Sequence, residues 1–187
     1  MISDKFLNNT KDMPPNRILL EALPYVKNFN FALDLGCGAF RDSRFLIDKG
    51  FLVDAVDNGV NVKEIQFKHN SLNFYSQTFW EFFYTEVKYD LINAQYSIPF
   101  CEPSKFLEVW KSITSSLKSG GIFAGQFFGP EDGFAPDAKM TFLINNEVDA
   151  LFLDFKIHTF VEAKRTNQTA TGRDKFWHIF DVIAERK

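Results

Sequence analysis

The chain has little cysteine. Cys37 and Cys101 are the two in 187 residues, and they stand in neither a metal-ligand nor a disulfide pattern. Long apolar runs are also missing. The longest stretch without a charge, Ser119 to Pro130, is 12 residues, well short of the ~20 that a membrane-spanning helix requires. No excess of either charge exists: 21 Lys and Arg face 24 Asp and Glu, a formal net of −3. A protein that works through phosphate contacts carries a basic excess or stripe, so nucleic acid is not expected as a partner. The first residues carry Asp4, Lys5, Lys11 and Asp12 with no apolar stretch between them, which reads as no signal peptide. There is no repeat, low-complexity tract or long linker. These absences lead to the expectation of one soluble, cytoplasmic domain over residues 1–187, without metal or membrane and with its oligomeric state open. That length buries a core unaided by disulfides.

What the chain has in plenty is phenylalanine, 23 residues. Buried aromatics are ordinary core material, so core filling is the expected reading and an aromatic ligand pocket the alternative.

Apolar patterning alternates strand and helix. Residues 1–12 read as a polar, loose segment. Pro14 and Pro15 suit a helix start, after which Ile18, Leu19, Ala22 and Leu23 share a face. Strands are expected at 31–35, 51–56, 72–76, 89–94 and 122–128. Helices are expected at 41–49, with Gly50 as its stop, at 60–69, at 104–117 and at 147–153, the last capped by Asn145. The end differs: strands at 155–162 and 175–184 are joined by a polar loop, 163–174, without a helix. Alternating strands and helices imply a parallel sheet covered on both faces. Two strands without a crossover helix imply an antiparallel pair at one edge. The expected fold class is therefore α/β, a doubly wound, Rossmann-like, three-layer α/β/α fold with a seven-stranded, mostly parallel sheet and an antiparallel terminal strand.

Open parallel sheets bind ligands beyond the carboxyl ends of their strands, where strand order reverses. After the first strand stands Gly36-Cys37-Gly38, a turn that lets a ligand approach bare amides. A dinucleotide fingerprint needs a third glycine three residues on, and that position is Arg41. Gly-Lys-Ser and Gly-Lys-Thr are absent, so no P-loop is present. The loop suits a nucleoside without a pyrophosphate. The second strand ends at Asp57, 21 residues after Gly36, where a carboxylate can accept from both ribose hydroxyls; capping of the next helix is the plainer alternative.

The run FALDLGCGAFRDSRFLIDKGFLVDAVD resembles the first two motifs of class I S-adenosylmethionine-dependent methyltransferases. It is most similar to the small subgroup resembling the tellurite-resistance and thiopurine-type enzymes. KYDLINAQYSIPF and LKSGGIFAGQFFG resemble that family's fourth and fifth strands, and KFWHIFDVIAERK its reversed seventh strand. The resemblance spans Pro14 to the C-terminus. It implies S-adenosyl-L-methionine as cofactor and S-adenosyl-L-homocysteine as product. It places Asp34, Gly36, Cys37 and Gly38 at the methionyl part, Asp57 on the ribose and Asn58 beside the adenine. Gln77 or Thr78 would reach the adenine amino group, with Phe79 packed on the ring. Asn93, Ala94 and Gln95 would contact the methionine moiety. Arg17, in a helix of the 1–29 segment that closes over the cofactor, either pairs with its carboxylate or makes a surface salt bridge.

No catalytic residue is named. Tyr96, Gln126, Glu131 and Asp132 lie where a substrate would sit, although Glu131 and Asp132 also read as a solvated turn. The small chain leaves only its N-terminal segment and the loops after the fourth and fifth strands to shape an acceptor pocket. Tyr96, Ile98, Phe100, Phe127, Phe128 and Phe134 there suggest a modest, partly hydrophobic molecule. The leading expectation is methyl transfer to a small-molecule acceptor. A non-catalytic protein binding S-adenosylmethionine or S-adenosylhomocysteine is the second, and a nicotinamide-dependent oxidoreductase the third.

Overall fold

In the computed structural model, which describes residues 3–65 and 67–187, strand β1 (Phe31–Leu35) lies beside β2 (Leu52–Val56), which in turn pairs with β3 (Leu72–Tyr75). On its other side β1 pairs with β4 (Tyr89–Ala94), and β4 with β5 (Leu117–Phe128). All these pairings are parallel. β7 (Asp174–Arg186) runs antiparallel to β5, and β6 (Phe155–Gln168) antiparallel to β7. The order β3-β2-β1-β4-β5-β7-β6 makes one seven-stranded sheet in which β7 is reversed, the doubly wound α/β arrangement the sequence pattern implies.

The strands form because their side chains are apolar on both faces, as a covered parallel sheet demands. Every residue of β4 is buried. Neighbours in β1 separate to opposite sides. Ala32 packs with α2 (Arg17–Ala22) and α3 (Arg41–Asp48) through Ile18, Leu19, Ala22 and Leu46. Leu33 packs with α4 (Pro103–Ser116) and α5 (Asn145–Leu151) through Phe106, Trp110, Ile113 and Val148. Three layers result.

Trp110 explains much of the phenylalanine excess. Its ring meets Phe123 at 5.1 Å, Phe127 at 5.5 Å and Phe152 at 5.1 Å, all close to edge-on, the arrangement that the ring quadrupole favours. Phe127, read from sequence as part of an acceptor pocket, belongs to this core. Another group (Tyr96, Phe128, Phe134 and Trp177) clusters elsewhere, at the carboxyl end of the sheet.

Three expectations are corrected. The segment expected to be loose contains helix α1 (Asp4–Thr10), whose start is capped where Ser3 Oγ accepts the Phe6 amide at 3.2 Å; Leu7 and Thr10 are buried, while residues 1 and 2 lie outside the described residues. The helix expected over 60–69 is a 3₁₀ segment, Val60–Glu64, since β-branched Val60 and Val62 weaken an α-helix; Gln66 lies outside the described residues. The polar loop 163–174 is mostly strand. β6 and β7 stay paired out to Gln168 and Asp174, and a short turn closes where the Gly172 amide, at φ +82°, donates to Thr169 O at 2.8 Å. That extension projects past the core, so it carries no apolar alternation to announce it. Smaller shifts occur at Leu117–Gly121, which joins β5 directly, and at α5, which starts two residues earlier than expected.

Candidate active site

Strand order reverses between β1 and β4, and the crevice at their carboxyl ends is where such sheets bind ligands. Two adjoining cavities lie there, of about 450 Å³ and 610 Å³, sharing Gly36, Gly38, Gln95 and Tyr96. α1 and the β6–β7 turn cover them. Asn9 Nδ2 donates to Ala170 O at 2.8 Å, joining the two covering pieces.

The glycine loop is tied to the end of β2. The Gly36 amide donates to Val56 O at 2.8 Å and the Cys37 amide to the same oxygen at 3.2 Å. Gly36 adopts φ +75°, and a Cβ there would lie 2.3 Å from Ser97 Cβ, so no other residue fits without rearrangement. Asp57 sits across the loop. Its Oδ2 accepts the Gly38 amide at 2.9 Å and its Oδ1 the Gly59 amide at 2.8 Å. Burial raises the Asp57 carboxyl above its ordinary range, opposed by these two amides.

The smaller cavity has an acidic floor. Asp34 is buried, with Ser43 Oγ donating to Oδ2 at 2.5 Å and Asn93 Nδ2 to Oδ1 at 2.8 Å. Desolvation, with neighbouring Asp42 adding repulsion, pushes the Asp34 carboxyl up to about 7; the bonds from Ser43 and Asn93 and the charge of Arg41 oppose it. Asp42 is held in the first turn of α3 by Arg41 Nε at 2.7 Å and by the Asn16 amide at 3.0 Å. Gln95 Nε2 donates to Asn93 Oδ1 at 2.8 Å and to Ala124 O at 3.1 Å. Gln95 Oε1 and Ser97 Oγ are buried without a hydrogen-bond partner among the described residues.

The residues singled out from sequence divide. Asp34, Gly36, Cys37, Gly38, Asp57, Asn58, Phe79, Gln95 and Tyr96 line the cavities. The others do not. Arg17 donates through Nη2 to Asp181 at 2.6 Å and through Nη1 to Glu21 at 2.8 Å, the salt-bridge alternative. Thr78 donates through its amide and hydroxyl to Glu81, at 3.0 and 2.7 Å, and Gln77 is exposed. Asn93 and Ala94 lie fully buried beneath the floor, Asn93 orienting Asp34. Gln126 accepts the Tyr96 amide at 3.0 Å and donates to Asp181 at 3.1 Å, so it supports Tyr96 from behind. Asp132 is buried in an ion pair with Lys175, and Glu131 is an exposed partner of Lys164.

The sequence reading missed other lining residues: Arg41, Asp42, Ser97, Trp177 and the turn residues Thr169–Arg173. Arg41 had a signal, being the charged residue where a dinucleotide loop needs glycine. The turn residues had none, because their place depends on the length of the β6–β7 pairing.

The larger cavity ends in an aromatic chamber walled by Tyr96, Phe100, Phe128, Phe134 and Trp177. Tyr96 adopts φ +56° and stacks edge-on against Trp177 at 5.5 Å. Burial, with the charge of Asp181 adding to it, raises the Tyr96 hydroxyl above its ordinary range. Among the described residues no cluster of His, Cys, Asp and Glu is arranged to hold a metal ion, and no helix is long and apolar enough to cross a membrane.

The model of one protein family, described as tellurite resistance protein TehB, matches residues 4–124. No curated protein matches the chain in sequence. Among solved structures, TehB from Haemophilus influenzae is similar with a TM-score of 0.73 at 16% identity, over 90% of this chain and 61% of that one. The chain thus spans 61% of that relative's length. A Methanosarcina mazei protein described as a SAM-dependent methyltransferase aligns with a TM-score of 0.68 at 17% identity, over 93% and 99% of the two chains. The Burkholderia thailandensis 1,6-didemethyltoxoflavin-N1-methyltransferase, solved with bound 1,6-didemethyltoxoflavin and S-adenosylhomocysteine, aligns with a TM-score of 0.66 at 16% identity, over 91% and 76%.

Proposed function

The chain belongs to the TehB family, and from that premise we propose that it transfers a methyl group from S-adenosylmethionine to a small-molecule acceptor. The observation that carries this reading is the Asp57 carboxylate, held at the carboxyl end of β2 against the Gly38 amide of the loop after β1.

The residues present fit the cofactor. A side chain at Gly36 would fill its cradle, and Gln95 and Ser97, which line the crevice, each carry a buried polar atom, Oε1 and Oγ, without a partner among the described residues. Buried polar groups are ordinarily satisfied, so these two await a ligand. Asp57 would hold the ribose hydroxyls, with Asn58 and Phe79 toward the adenine. Asp34 would face the amino group of the methionyl end. Arg41, in place of Arg17, offers the N–H groups left free by Asp42 to the carboxylate.

When bound, the cofactor supplies a methyl group already activated on a sulfonium leaving group. The chain's part is to align the acceptor and keep water out. Alignment of that kind lowers a barrier by about 7–11 kcal/mol. Tyr96, its hydroxyl raised above the ordinary phenol range by burial, keeps its proton and can donate it in a hydrogen bond. A small acceptor is supported by the cover of α1 and the β6–β7 turn over a crevice of modest volume.

The test is calorimetric titration with S-adenosylmethionine and S-adenosylhomocysteine, followed by transfer of labelled methyl to thiols, small acids and amines and, separately, to RNA and protein. Binding with turnover on small molecules is expected. Activity confined to RNA or protein would overturn the acceptor class. Among the described residues the carboxylate lining the aromatic chamber, Asp137, is exposed rather than held against a buried acceptor, which favours one alternative, a binding protein for the cofactor or its demethylated product, and tight binding without turnover across the panel selects it.

A further inference from the structure

Aromatic faces carry partial negative charge, so an open box of them ordinarily draws a cation. In this chain the protein supplies that cation itself. The Lys175 ammonium lies 3.4 Å from the Trp177 ring centroid, 4.0 Å from Phe134 and 4.5 Å from Phe128. Its Nζ is 2.6 Å from Asp132 Oδ1, and the two side chains are 2% and 0% exposed. The three rings line the larger cavity, whereas neither Lys175 nor Asp132 does. The ammonium therefore sits behind the wall, and the rings stand between it and whatever enters. Asp132 also accepts the Phe134 amide at 3.0 Å and the His178 amide at 3.2 Å, so the pair is fixed to the backbone that carries the rings.

We propose that this chamber binds a planar ring compound that is neutral or anionic, and that the buried Lys175, acting through Trp177, Phe134 and Phe128, makes it discriminate against cationic ligands. This deepens the methyl-transfer reading, on which it rests for calling that ligand the acceptor. Flat ligands suit the walls because rings stack and meet edge-on with centroids roughly 4.5–7 Å apart. A cation on the rear face of a ring already engages its negative quadrupole, and it repels a second cation on the front face. The Lys175–Asp132 pair is neutral as a whole, yet its ammonium is the end against the rings. In this dry setting its field is weakly screened. Charged groups lining the larger cavity are Asp57 at its cofactor end and Arg173 and Asp137 at the chamber, while Asp181, Arg165, Arg17 and Arg41 act on the Tyr96 wall from outside that cavity. Arg173 and Asp137 are exposed and of opposite sign, and Asp137 Oδ1 accepts the Lys139 amide at 3.0 Å. The Arg173 guanidinium lies 5.7 Å from the Phe134 centroid, so it adds a bias of the same sign from the exposed side, where water and salt screen it, whereas the buried Lys175 is screened far less.

The experiment uses one ring with three charges: 2-naphthoate, 2-naphthol and 2-naphthylmethylammonium. Each is titrated into the full chain saturated with S-adenosylhomocysteine, followed by heat and by tryptophan fluorescence. Naphthoate and naphthol are expected to bind, with the cation weaker by about ten-fold, in the range that a cation–ring contact spans. Phe134→Leu, at a ring that lines the larger cavity alone, should lose naphthol binding while keeping S-adenosylhomocysteine. Asp132→Asn with Lys175→Met should bring the cation to within about three-fold of naphthol, under 1 kcal/mol. Arg173→Gln should leave the discrimination standing. A cation that binds as well as naphthol in the unaltered chain overturns the proposal, so the result does not depend on the double variant folding. Absence of ring binding by a chain that binds S-adenosylhomocysteine overturns it as well. Failure to bind S-adenosylhomocysteine counts instead against the methyl-transfer reading, and the three ring titrations then decide the chamber on the ligand-free chain.

Discussion

Asp57 Oδ2 accepts the amide of Gly38 at 2.9 Å, bridging the end of β2 to the loop after β1 across 19 positions of sequence. The same carboxylate holds the Gly59 amide at 2.8 Å. Replacement by alanine removes both acceptors and the partner offered to a ribose. Asp57→Ala is expected to weaken S-adenosylmethionine and S-adenosylhomocysteine by about 1–3 kcal/mol, the usual cost of a lost buried partner. Calorimetry on the folded variant reads this directly, and unchanged affinity would remove Asp57 from the site.

Asp34 makes the protein sensitive to pH. Its carboxyl is pushed up to about 7 by burial and by Asp42, against about 3.9 in an unfolded chain. The folded chain holds that proton more tightly, so the contribution to stability is complete below about 4 and is lost as pH rises through 7. Ligand-free protein should melt lower at pH 8 than at pH 5, and Asp34→Asn should flatten that slope. A cofactor ammonium beside Asp34 favours the ionised form, so affinity should rise from pH 5.5 to 7.5. Binding at pH 6 should then release up to about one proton, seen as a buffer-dependent enthalpy. An enthalpy that is the same in every buffer would place the ammonium elsewhere.

Gly36 carries two separable constraints. Its φ is +75°, and an added Cβ would meet Ser97 Cβ at 2.3 Å. Gly36→Ala should cost about 1–3 kcal/mol of stability or more, measured by urea unfolding. Adding Ser97→Gly removes the collision and leaves about 1–2 kcal/mol for the left-handed backbone. No recovery in the double variant would mean the collision is relieved by a shift of the chain.

The cover over the crevice should order on binding. α1 and the β6–β7 turn meet through the Asn9–Ala170 hydrogen bond, and such lightly held segments open at low free energy. Amide exchange across residues 4–10 and 168–173 should slow when S-adenosylhomocysteine is added, while exchange in β4 stays as it was. Equal protection with and without ligand would show that the cover is rigid.

Trp110 tests the core. Its ring meets three phenylalanines, and its Nε1 donates to Leu151 O at 3.2 Å. Trp110→Ala should lose about 3–5 kcal/mol in urea unfolding. Because the ring lies in the α4 layer away from the cavities, the folded fraction should bind S-adenosylhomocysteine normally.

The amino-acid order by itself determined the elements of the sheet and its reversed strand, because apolar runs bounded by glycine have few other ways to be buried. It also placed Asp34, Gly36, Gly38 and Asp57 in one crevice, since loop chemistry at a strand end is local and the topology of such sheets brings the ends together. What it left open depends on contacts distant in sequence. Arg17 and Arg41 are both arginines at helix starts; only the fold shows Arg17 turned to Asp181 and Arg41 at the cavity. Asp132, read as a solvated turn or a substrate-facing group, is buried because Lys175 arrives from β7, 43 positions later, to neutralise it. The covering turn at Thr169–Arg173 is polar and carries no periodicity, so its position follows only from how far β6 and β7 stay paired. Local patterning decides what an element is. Which charges it meets, and what closes over it, is decided by tertiary packing.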